Sequence, residues 1–285
     1  MQKWLVLSNC QTVGLANCLT LMTKGIEITG FNANQFGRDL DNINASIPGF
    51  DRVIVHRTAE SVPGARIDTA RLINRVPSIE FRAYHPDTTF AFIGPHYLQG
   101  PMNANHSLIL LAAHELGIGA DDAIKLFCPE VFGACGYFDL WEMERDAMLR
   151  PFDAAGISLH DTALRWGRHE PFMHTFNHPK IRCLFDLADA FLSSVDVPHS
   201  RVDLLPVDNL VFGPCYPVYP AIAERYGVSG SYDFKPQSGY SVIGLREFVV
   251  GSLDVYRAHP VGSIKPDAAV QARFDLVKHV IQEFI

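Results

Sequence analysis

The first hundred residues alternate between short apolar segments and segments of helical periodicity, and this alternation limits the fold more than any other feature. Residues 4–7 are short and apolar, which is typical of a buried strand, and residues 13–22 then follow the period of a helix. Further elements are predicted at 26–31, 52–56, 78–84 and 88–94 (strands) and at about 67–75 (helix). Strands that alternate with helices form parallel sheets covered by helices. The sequence therefore predicts an α/β fold with a parallel sheet core covered by helices.

The remainder of the chain is predicted to be helical at first and irregular afterwards. An amphipathic helix starts near Leu108, with Asn103 or Asn105 as its N-cap. Other helical segments are predicted at 121–150 (broken at Pro129 and around 133–136), 181–192 and 267–284. Residues 195–239 are rich in Pro, Gly and Tyr and show little periodicity. We therefore predict a single domain with a parallel α/β core (1–100), a large helical insertion (101–195) and an irregular C-terminal cover with a terminal helix (196–285).

Composition excludes several classes of protein. No run of about eighteen apolar residues predicts a membrane span, and the apolar run at the N-terminus is too short for a signal peptide, so a soluble cytoplasmic protein is expected. The net charge of −7 argues against nucleic-acid binding. The six cysteines show no C-x-x-C spacing, which predicts free thiols and no structural metal site.

The basic residues are biased towards arginine. The chain has 17 Arg and 7 Lys, and six of the arginines fall within residues 51–82 together with four acids and no lysine. The planar guanidinium group suits phosphate oxygens, so this segment is a candidate anion site. An arginine-rich solvated face that makes ordinary surface ion pairs is the alternative.

Cys10 directly follows the first predicted strand and precedes the first predicted helix. At such a turn, free backbone N–H groups and the helix dipole favour an anion and can lower a thiol pKa from about 8.5 into the ~3.5–7.5 range. The neighbours Asn9 and Gln11 could donate hydrogen bonds to a developing oxyanion. The alternative is a buried structural cysteine, because cysteine is often buried.

Histidines follow other predicted strands in the same way. His56, His85 and His96 all lie just beyond a strand, and ligands of parallel sheets bind at the carboxyl ends of the strands. This convergence favours a functional role for Cys10. The loop 94–107 is stiffened by two prolines and leads to a helix N-terminus, which is a natural anion site.

A cysteine nucleophile also needs a base, and His178 is the best candidate. It lies beside Asn177 on a loop that Pro179 constrains at the start of a helix. A lone histidine is more often an ordinary surface or core residue, and Asn-His-Pro at a helix start could be simple capping. No third ligand accompanies the nearby histidines at helical spacing, so no metal site is predicted.

Several common catalytic signatures are absent. There is no phosphate-binding G-x-x-x-x-G-K-[ST], no dinucleotide-binding G-x-G-x-x-G after a strand, and no G-x-S-x-G of an α/β-hydrolase. A nucleophile after the first strand with a late histidine is similar to the plan of the SGNH esterases, with cysteine in place of serine.

Four motifs together resemble the WcbI family of polysaccharide biosynthesis proteins, known from bacterial capsule gene clusters. They are Ser8-Asn9-Cys10-Gln11, Pro77-Ser78-Ile79-Glu80-Phe81, Tyr84-His85-Pro86-Asp87 and Thr175-Phe176-Asn177-His178-Pro179. The resemblance covers roughly residues 3–195 and leaves the last ninety residues unmatched. It implies an SGNH/flavodoxin-like core that binds coenzyme A or acyl-coenzyme A and transfers an acyl group, expected to be acetyl, to a sugar or glycan hydroxyl.

The residue patterns and the resemblance together suggest two groups of candidate residues. Cys10, His178, Gln11 and Asn9 are the catalytic candidates. Residues proposed to contact coenzyme A are Thr12, Arg82, His85, His96, Asn105, His106, Ser107, Asn177 and Lys180, of which Arg82 and Lys180 are chosen for their proximity to the motifs. Two alternatives stay open: a thioesterase or esterase using the same site, and a non-catalytic coenzyme A- or nucleotide-binding partner. Association with other polysaccharide biosynthesis enzymes is a further expectation.

Overall fold

The computed structural model describes residues 1–168, 170–237 and 239–285. The chain divides into two units, each of which is assembled from three separate segments. The first unit consists of Met1–Glu80, Arg145–Arg168 and Asn177–Leu210, and the second of Phe81–Glu144, His169–Phe176 and Val211–Ile285. Each unit therefore depends on contacts between parts of the chain that are distant in sequence.

Strands and helices are numbered in chain order. The strands are β1 (Gln2–Ser8), β2 (Ile26–Asn32), β3 (Arg52–Val55), β4 (Leu72–Arg75), β5 (Thr88–Ile93), β6 (His96–Tyr97), β7 (Asn105–Ser107), β8 (Met173–Thr175), β9 (His178–Pro179) and β10 (Ile264–Pro266). The α-helices are α1 (Thr12–Met22), α2 (Ala33–Arg38), α3 (Leu40–Ser46), α4 (Arg57–Glu60), α5 (Leu108–Glu115), α6 (Ala120–Lys125), α7 (Pro129–Ala134), α8 (Trp141–Ala154), α9 (His160–Trp166), α10 (Ile181–Ser194), α11 (Pro220–Tyr226), α12 (Leu245–Arg257) and α13 (Gln271–Phe284).

The first unit is built on a parallel sheet of four strands in the order β2-β1-β3-β4. The central strand β1 is buried from Trp4 to Ser8, as its apolar run predicts. One face of the sheet packs against α2, α3 and α4, and the buried cluster there contains Leu5, Leu7, Phe36 and Val55. Burying each of these side chains stabilises the fold by about 1.5–3 kcal/mol, so the sheet is a rigid base for the loops at its ends.

Helix α1 packs directly against α10. Gly14 makes this close approach feasible, because a Cβ atom there would lie 2.6 Å from Cδ1 of Leu184. Cys10 immediately precedes α1, and the segment carrying His178 immediately precedes α10. The two helices thus fix the backbone on either side of the candidate catalytic pair.

The second unit contains an antiparallel sheet in which β5 pairs with β10, β6 and β7. Helix α5 packs against α12 and α13. Its N-cap is Ser107, whose Oγ accepts a hydrogen bond from the Leu110 N–H at 3.1 Å. The predicted helix start near Leu108 is confirmed, but the predicted cap at Asn103 or Asn105 is wrong, because a β-strand carries the chain up to Ser107.

The strand predictions are confirmed at β1, β2, β3 and β5 and wrong at 78–84, and the helix predicted at about 67–75 is also wrong. Residues 78–84 form no strand, and 67–75 form a short 3-10 helix, Thr69–Arg71, followed by β4. The predicted strand at 88–94 exists as β5, but it pairs antiparallel with β10 from near the C-terminus. Local periodicity identified β5 as a strand and could not reveal that its partner lies about 170 residues away.

The helix predictions are also confirmed for some segments and incomplete for others. Helices α6, α7 and α8 occupy the segment 121–150, which was predicted to be helix-rich, and α7 begins at Pro129. Helices α10 and α13 match the helices predicted at 181–192 and 267–284. The sequence missed α11 and α12, which lie in the C-terminal part expected to be irregular apart from its last helix. The observed division after Glu80 also differs from the predicted subdivision near residue 100, because β5 is part of the second unit.

Candidate functional site

The carboxyl ends of β1 and β3 form the topological switch point of the parallel sheet. The chain leaves β1 for β2 on one side and returns to β3 on the other, so the connections after β1 and β3 diverge at this edge. Cys10 follows β1, and His56 follows β3, with the His56 N–H donating to the Leu7 carbonyl at 2.8 Å. Ligands of open α/β sheets bind at this type of crevice.

Residues 8–12, here named the Cys10 turn, are held by local hydrogen bonds. The Asn9 Oδ1 accepts from the Gln11 N–H at 2.9 Å, and the Thr12 hydroxyl donates to the Asn9 carbonyl at 2.7 Å. Cys10 is exposed as a residue, although neighbouring protein atoms partly desolvate its sulfur. Thr12 is fully buried and its hydroxyl proton is used within the turn, while its contact with a cofactor stays a prediction.

The Gln11 side chain binds Ile79 and Asn177 by hydrogen bonds, and these contacts are named here the Gln11 clamp. They leave Gln11 without a free N–H group for an oxyanion. Its side chain is 3% exposed, and Nε2 donates to the carbonyls of Ile79 at 2.8 Å and Asn177 at 3.1 Å. The Oε1 accepts from the Ile79 N–H at 3.1 Å. Both amide hydrogens are therefore engaged, which contradicts the predicted oxyanion role. Gln11 instead ties two distant segments to the Cys10 turn.

His178 lies on one of these tied segments. It is half-buried in β9, directly after Asn177 and two residues before Lys180, the N-cap of α10. Because Gln11 binds the Asn177 carbonyl, the segment carrying the imidazole is fixed against the Cys10 turn. The structure thus brings together two predicted catalytic segments that are about 168 positions apart in the chain.

The pKa of the Cys10 thiol is raised, whereas the sequence predicts that it is lowered. Protein atoms that displace water from the sulfur raise its pKa to about 11, and the carboxylate of Glu80 adds to the effect. The backbone N–H groups of Cys10 and Gln11 act in the opposite direction and are outweighed. The predicted activation by the helix start is therefore wrong for the free protein, in which Cys10 carries a thiol at neutral pH.

Two of the predicted cofactor-binding histidines are buried in the second unit. The His85 Nε2–H donates to the Tyr216 carbonyl at 3.0 Å, and the His106 Nε2 bonds to the Leu98 carbonyl at 3.1 Å. The His106 Nδ1 contacts the Tyr256 hydroxyl at 2.9 Å. Burial lowers the pKa of each imidazole to about 4. Both are buried groups that are neutral at pH 7, and their contact with a cofactor stays a prediction.

Asn105 and Ser107 are buried in the same unit. The Asn105 carbonyl accepts from the Tyr216 hydroxyl at 3.2 Å, and Ser107 caps α5 and also hydrogen-bonds Asp87. Asp87 itself is 1% exposed and accepts from the Ile109 N–H at 2.9 Å. Burial raises the pKa of this carboxyl group, and its hydrogen bonds oppose the rise. The predicted anion site at this helix start is occupied by the protein's own carboxyl group.

Arg82 and His96 also lie in the second unit and remain accessible. The Arg82 Nη1 donates to the Thr88 carbonyl at 3.0 Å, and its guanidinium carbon lies 3.8 Å from the centre of the Phe176 ring. His96 is exposed in β6. Neither belongs to the unit that contains Cys10, so the predicted cofactor ligands are divided between the two units.

The arginines of residues 51–82 do not form one cluster. Arg71 donates to the carbonyls of Pro48 and Phe50, and Arg75 pairs with Glu60 at 2.8 Å. Arg52 lines a cleft of about 710 Å³ at the opposite, amino-terminal edge of the sheet. Arg57 is exposed beside His56 at the carboxyl edge. Of the two interpretations of this segment, these contacts favour the arginine-rich face with ordinary surface interactions.

Sequence reasoning missed two polar groups beside the Cys10 turn. Ser78 and Glu80 follow β4 and lie on either side of Ile79, the residue that Gln11 clamps. Their segment was predicted as a strand, in which residues 78 and 80 would share one face of a sheet. The available signal was the Ser-x-Glu spacing directly before the buried aromatic residue Phe81.

Within residues 1–168, 170–237 and 239–285, no three His, Cys, Asp or Glu side chains are grouped so that they could hold a metal ion. The same part of the chain contains no helix that combines the length and apolar character needed to span a membrane. The six cysteines are free thiols, as the sequence predicts.

Comparison with known proteins relates the chain to one family. Residues 3–200 match the family described as polysaccharide biosynthesis enzyme WcbI. No curated relative matches the chain. A solved WcbI structure superimposes with a TM-score of 0.65 at 16% identity, covering 99% of this chain and 98% of that one. That protein is described as a polysaccharide biosynthesis enzyme in its native form, without a disulfide bond between coenzyme A and one of its cysteines.

Proposed function

Because the chain belongs to the WcbI family of polysaccharide biosynthesis enzymes, we propose that it binds acyl-coenzyme A and transfers the acyl group to a sugar hydroxyl. We expect the transferred acyl group to be acetyl. The observation that carries the proposal is the Gln11 clamp, which holds the segment of His178 against an exposed cysteine at the switch point of the sheet. The described binding of coenzyme A by the structural neighbour supports the choice of donor.

In this scheme His178 is the general base. It takes the proton of the sugar hydroxyl as the hydroxyl oxygen bonds to the thioester carbon, and it returns that proton to the coenzyme A sulfur when the carbon–sulfur bond breaks. Cys10 and the Asn9 amide nitrogen lie on the turn where the carbonyl oxygen would be bound. A donor placed at such an oxyanion is worth about 3–4 kcal/mol in enzymes where it has been removed.

The raised pKa of the Cys10 thiol favours direct transfer of the acyl group from coenzyme A to the sugar over a route through an acyl-enzyme intermediate. A thiol with a pKa of about 11 is almost entirely protonated at neutral pH, and the thiolate is the nucleophilic form. Cys10 is therefore proposed to bind the reacting carbonyl rather than to attack it. The covalent route would require the bound substrate to lower this pKa.

Coenzyme A is proposed to be held by groups that remain accessible. Asn177 and Lys180 flank His178 on the same segment and stay proposed ligands, while Arg57 is added because it is exposed at the same edge of the sheet. The cationic groups among these suit the phosphates of the donor. The predictions for Arg82 and His96, which belong to the second unit, stay predictions and are not part of this proposed site.

Replacing Cys10 with alanine separates the two routes. We expect acetyl transfer to fall by no more than about tenfold, the loss of one weak donor, and no acetylated enzyme to form in the wild type. The measurement is the initial rate with acetyl-coenzyme A, combined with mass spectrometry of the quenched protein. A loss of more than about 10³-fold together with an acetyl group on Cys10 would establish the covalent route.

The products decide between the proposed function and its alternatives. Acetylated sugar from acetyl-coenzyme A supports the transferase, whereas free acetate in the presence or absence of sugar supports an SGNH-like thioesterase or esterase with water as acceptor. A binding partner without activity would show no turnover while coenzyme A still stabilises the protein, by about 2.7 kcal/mol at 100 times its Kd. The matched control is His178→Gln, which should abolish turnover and preserve this stabilisation.

A further inference from the structure

A cleft of about 710 Å³ opens at the amino-terminal edge of the parallel sheet, at the opposite end of β1 from Cys10. All the residues that line it belong to the first unit. Strand β1 has seven residues and rises by about 3.3 Å per residue, so the cleft lies roughly 20 Å from the Cys10 turn. It is therefore separate from the candidate functional site.

The cleft forms where helices leave part of one face of the sheet uncovered. Helix α1 packs on the face that carries Gly30, because a Cβ atom at Gly30 would lie 2.8 Å from the Thr12 Cγ2. Trp4 lies on the same face, since it pairs with Ile28 and side chains alternate along a strand. Helix α1 ends just before β2 begins, and α10 packs beside it and ends at its C-cap Val195. Beyond these two helix ends, the starts of the strands form the floor of the cleft.

Two cationic side chains, Lys24 and Arg52, line the cleft on either side of β1. Lys24 comes just before β2 and Arg52 begins β3, and both of these strands pair with β1. Neighbouring strands lie about 4.8 Å apart, so the two long side chains can reach one anion placed over the start of β1. In the described part of the chain, no carboxylate lines the cleft.

The acidic residues next to the lining residues in the sequence do not line the cleft themselves. Asp51 accepts a hydrogen bond from the Lys3 N–H at 2.8 Å, and Glu27 pairs in register with Lys3 on the opposite face of the sheet. Asp196 is exposed on the segment after α10 and is not part of the lining. The C-terminal ends of α1 and α10 each contribute a partial charge of about −0.5. The two cationic side chains contribute two full positive charges, so the balance at the cleft is positive.

The walls of the cleft are mainly apolar and are fixed in place. Ile73, Val195 and Val197 line it as half-buried side chains, so each keeps apolar surface that a ligand could cover. The segment that carries the two valines is fastened by Arg201, whose guanidinium pairs with two carboxylates of α10 at 2.6 and 2.7 Å. The Ser200 N–H donates to the last carbonyl of α1 at 3.0 Å. The cleft is therefore preformed, and its volume is within the range of about 300–1,000 Å³ that is typical of small-molecule sites.

We propose that this cleft is a binding site for a small amphipathic anion, an apolar group that carries a phosphate or a carboxylate. Lys24 and Arg52 bind the charged end, and the apolar body packs against Ile73, Val195 and Val197. An inorganic anion would leave the apolar walls uncovered, and a neutral apolar molecule would leave the two cations without a counter-charge. The ligand therefore needs both parts. This site goes beyond the proposed acyl transfer and does not depend on it.

The test is isothermal titration calorimetry with octyl phosphate as the probe, below its critical micelle concentration. Inorganic phosphate and 1-octanol are the matched probes, because each carries one of the two parts. The variants are Lys24→Gln, Arg52→Gln and Val197→Asp, the last of which places a carboxylate in the wall. Arg66→Gln is the control, since Arg66 is an exposed arginine of the same unit that lies outside the cleft. Circular dichroism confirms that each variant is folded.

Octyl phosphate is expected to bind one site of the wild-type protein, more tightly than either matched probe by about tenfold or more. Lys24→Gln and Arg52→Gln should each weaken the binding by about 3–5-fold, as expected for the loss of a partly exposed ion pair. Val197→Asp should weaken it by about tenfold or more, because a like charge then faces the ligand. Arg66→Gln should leave it unchanged. In 1 M NaCl, where the Debye length is about 3 Å, the affinity of the wild-type protein should fall.

Three results would each overturn the proposal: no binding of octyl phosphate, equal binding by the wild type and both glutamine variants, or binding no tighter than that of 1-octanol. Vesicles of phosphatidylglycerol separate a free ligand from a lipid headgroup. Wild-type protein that stays in the supernatant supports a free ligand, whereas sedimentation that Arg52→Gln abolishes would assign the cleft to a membrane surface instead. These measurements use no acyl-coenzyme A, so failure of the proposed function would leave them unchanged.

Discussion

Gln11→Ala is expected to lower acyl transfer by about 10²-fold and the free energy of unfolding by about 2–4 kcal/mol. The substitution leaves the N–H and carbonyl of Ile79 and the carbonyl of Asn177 without their partner. Each buried group that loses its hydrogen bond costs about 1–3 kcal/mol. The rate falls because the segment of His178 is released, and a displacement of about 1 Å is enough for a 10²-fold loss.

Initial rates with acetyl-coenzyme A and urea unfolding curves measure the two effects. Gln35→Ala is the matched control, because Gln35 makes its capping bonds at the exposed N-terminus of α2 and should cost less than about 1 kcal/mol. Gln11→Glu keeps the size of the side chain and cannot donate to either carbonyl, so it should behave like the alanine variant. Activity within twofold of wild type in both Gln11 variants would refute the clamp.

The second unit is expected to lose about 4 kcal/mol of stability between pH 7 and pH 5. His85 and His106 have pKa values of about 4 when folded, compared with an ordinary value of 6.5. Both therefore take up a proton on unfolding, so their contribution is complete above pH 6.5 and is lost as the pH falls towards 4. Asp87, whose pKa is raised by burial, acts in the opposite direction at the acid end of this range.

Urea unfolding at several pH values tests this dependence. His106→Gln cannot titrate and should flatten the slope by about 1.4 kcal/mol per pH unit near pH 5, whatever its effect on stability at pH 7. His160→Gln is the control, because His160 is exposed and pairs with Asp153 at the surface. An acid slope equal to that of wild type in His106→Gln would show that the buried ring does not remain neutral.

The parts of this structure that the sequence predicts correctly depend on neighbouring residues. The apolar run of β1 followed by the helical period of α1 places Cys10 at a strand-to-helix turn, and the structure has it there. The roles of Gln11 and His85 depend instead on long-range contacts, to Asn177 in one case and to Tyr216 in the other. A polar residue beside a catalytic motif has the same local pattern whether it faces a ligand or a distant carbonyl.

The pKa of the Cys10 thiol likewise depends on protein groups that are not its neighbours in the sequence. A helix start lowers a thiol pKa when water and backbone N–H groups reach the sulfur. Here desolvation of the sulfur by neighbouring protein atoms outweighs the backbone N–H groups. The carboxylate of Glu80, on the segment after β4, adds to the effect, so the net shift of the pKa is upwards. Neither contribution is visible in the residues on either side of Cys10.

The distance between Cys10 and His178, the proposed catalytic pair, depends on how closely helices α1 and α10 pack at Gly14. It is therefore set by residues that lie outside the site. Helices α1 and α10 touch where Gly14 meets Leu184, and each helix begins just after one of the two catalytic segments. A larger residue at position 14 would push the helix starts apart unless position 184 became smaller. These two positions are therefore expected to covary among relatives, and an exchange of sizes between them offers a way to tune the distance from cysteine to base without altering either group.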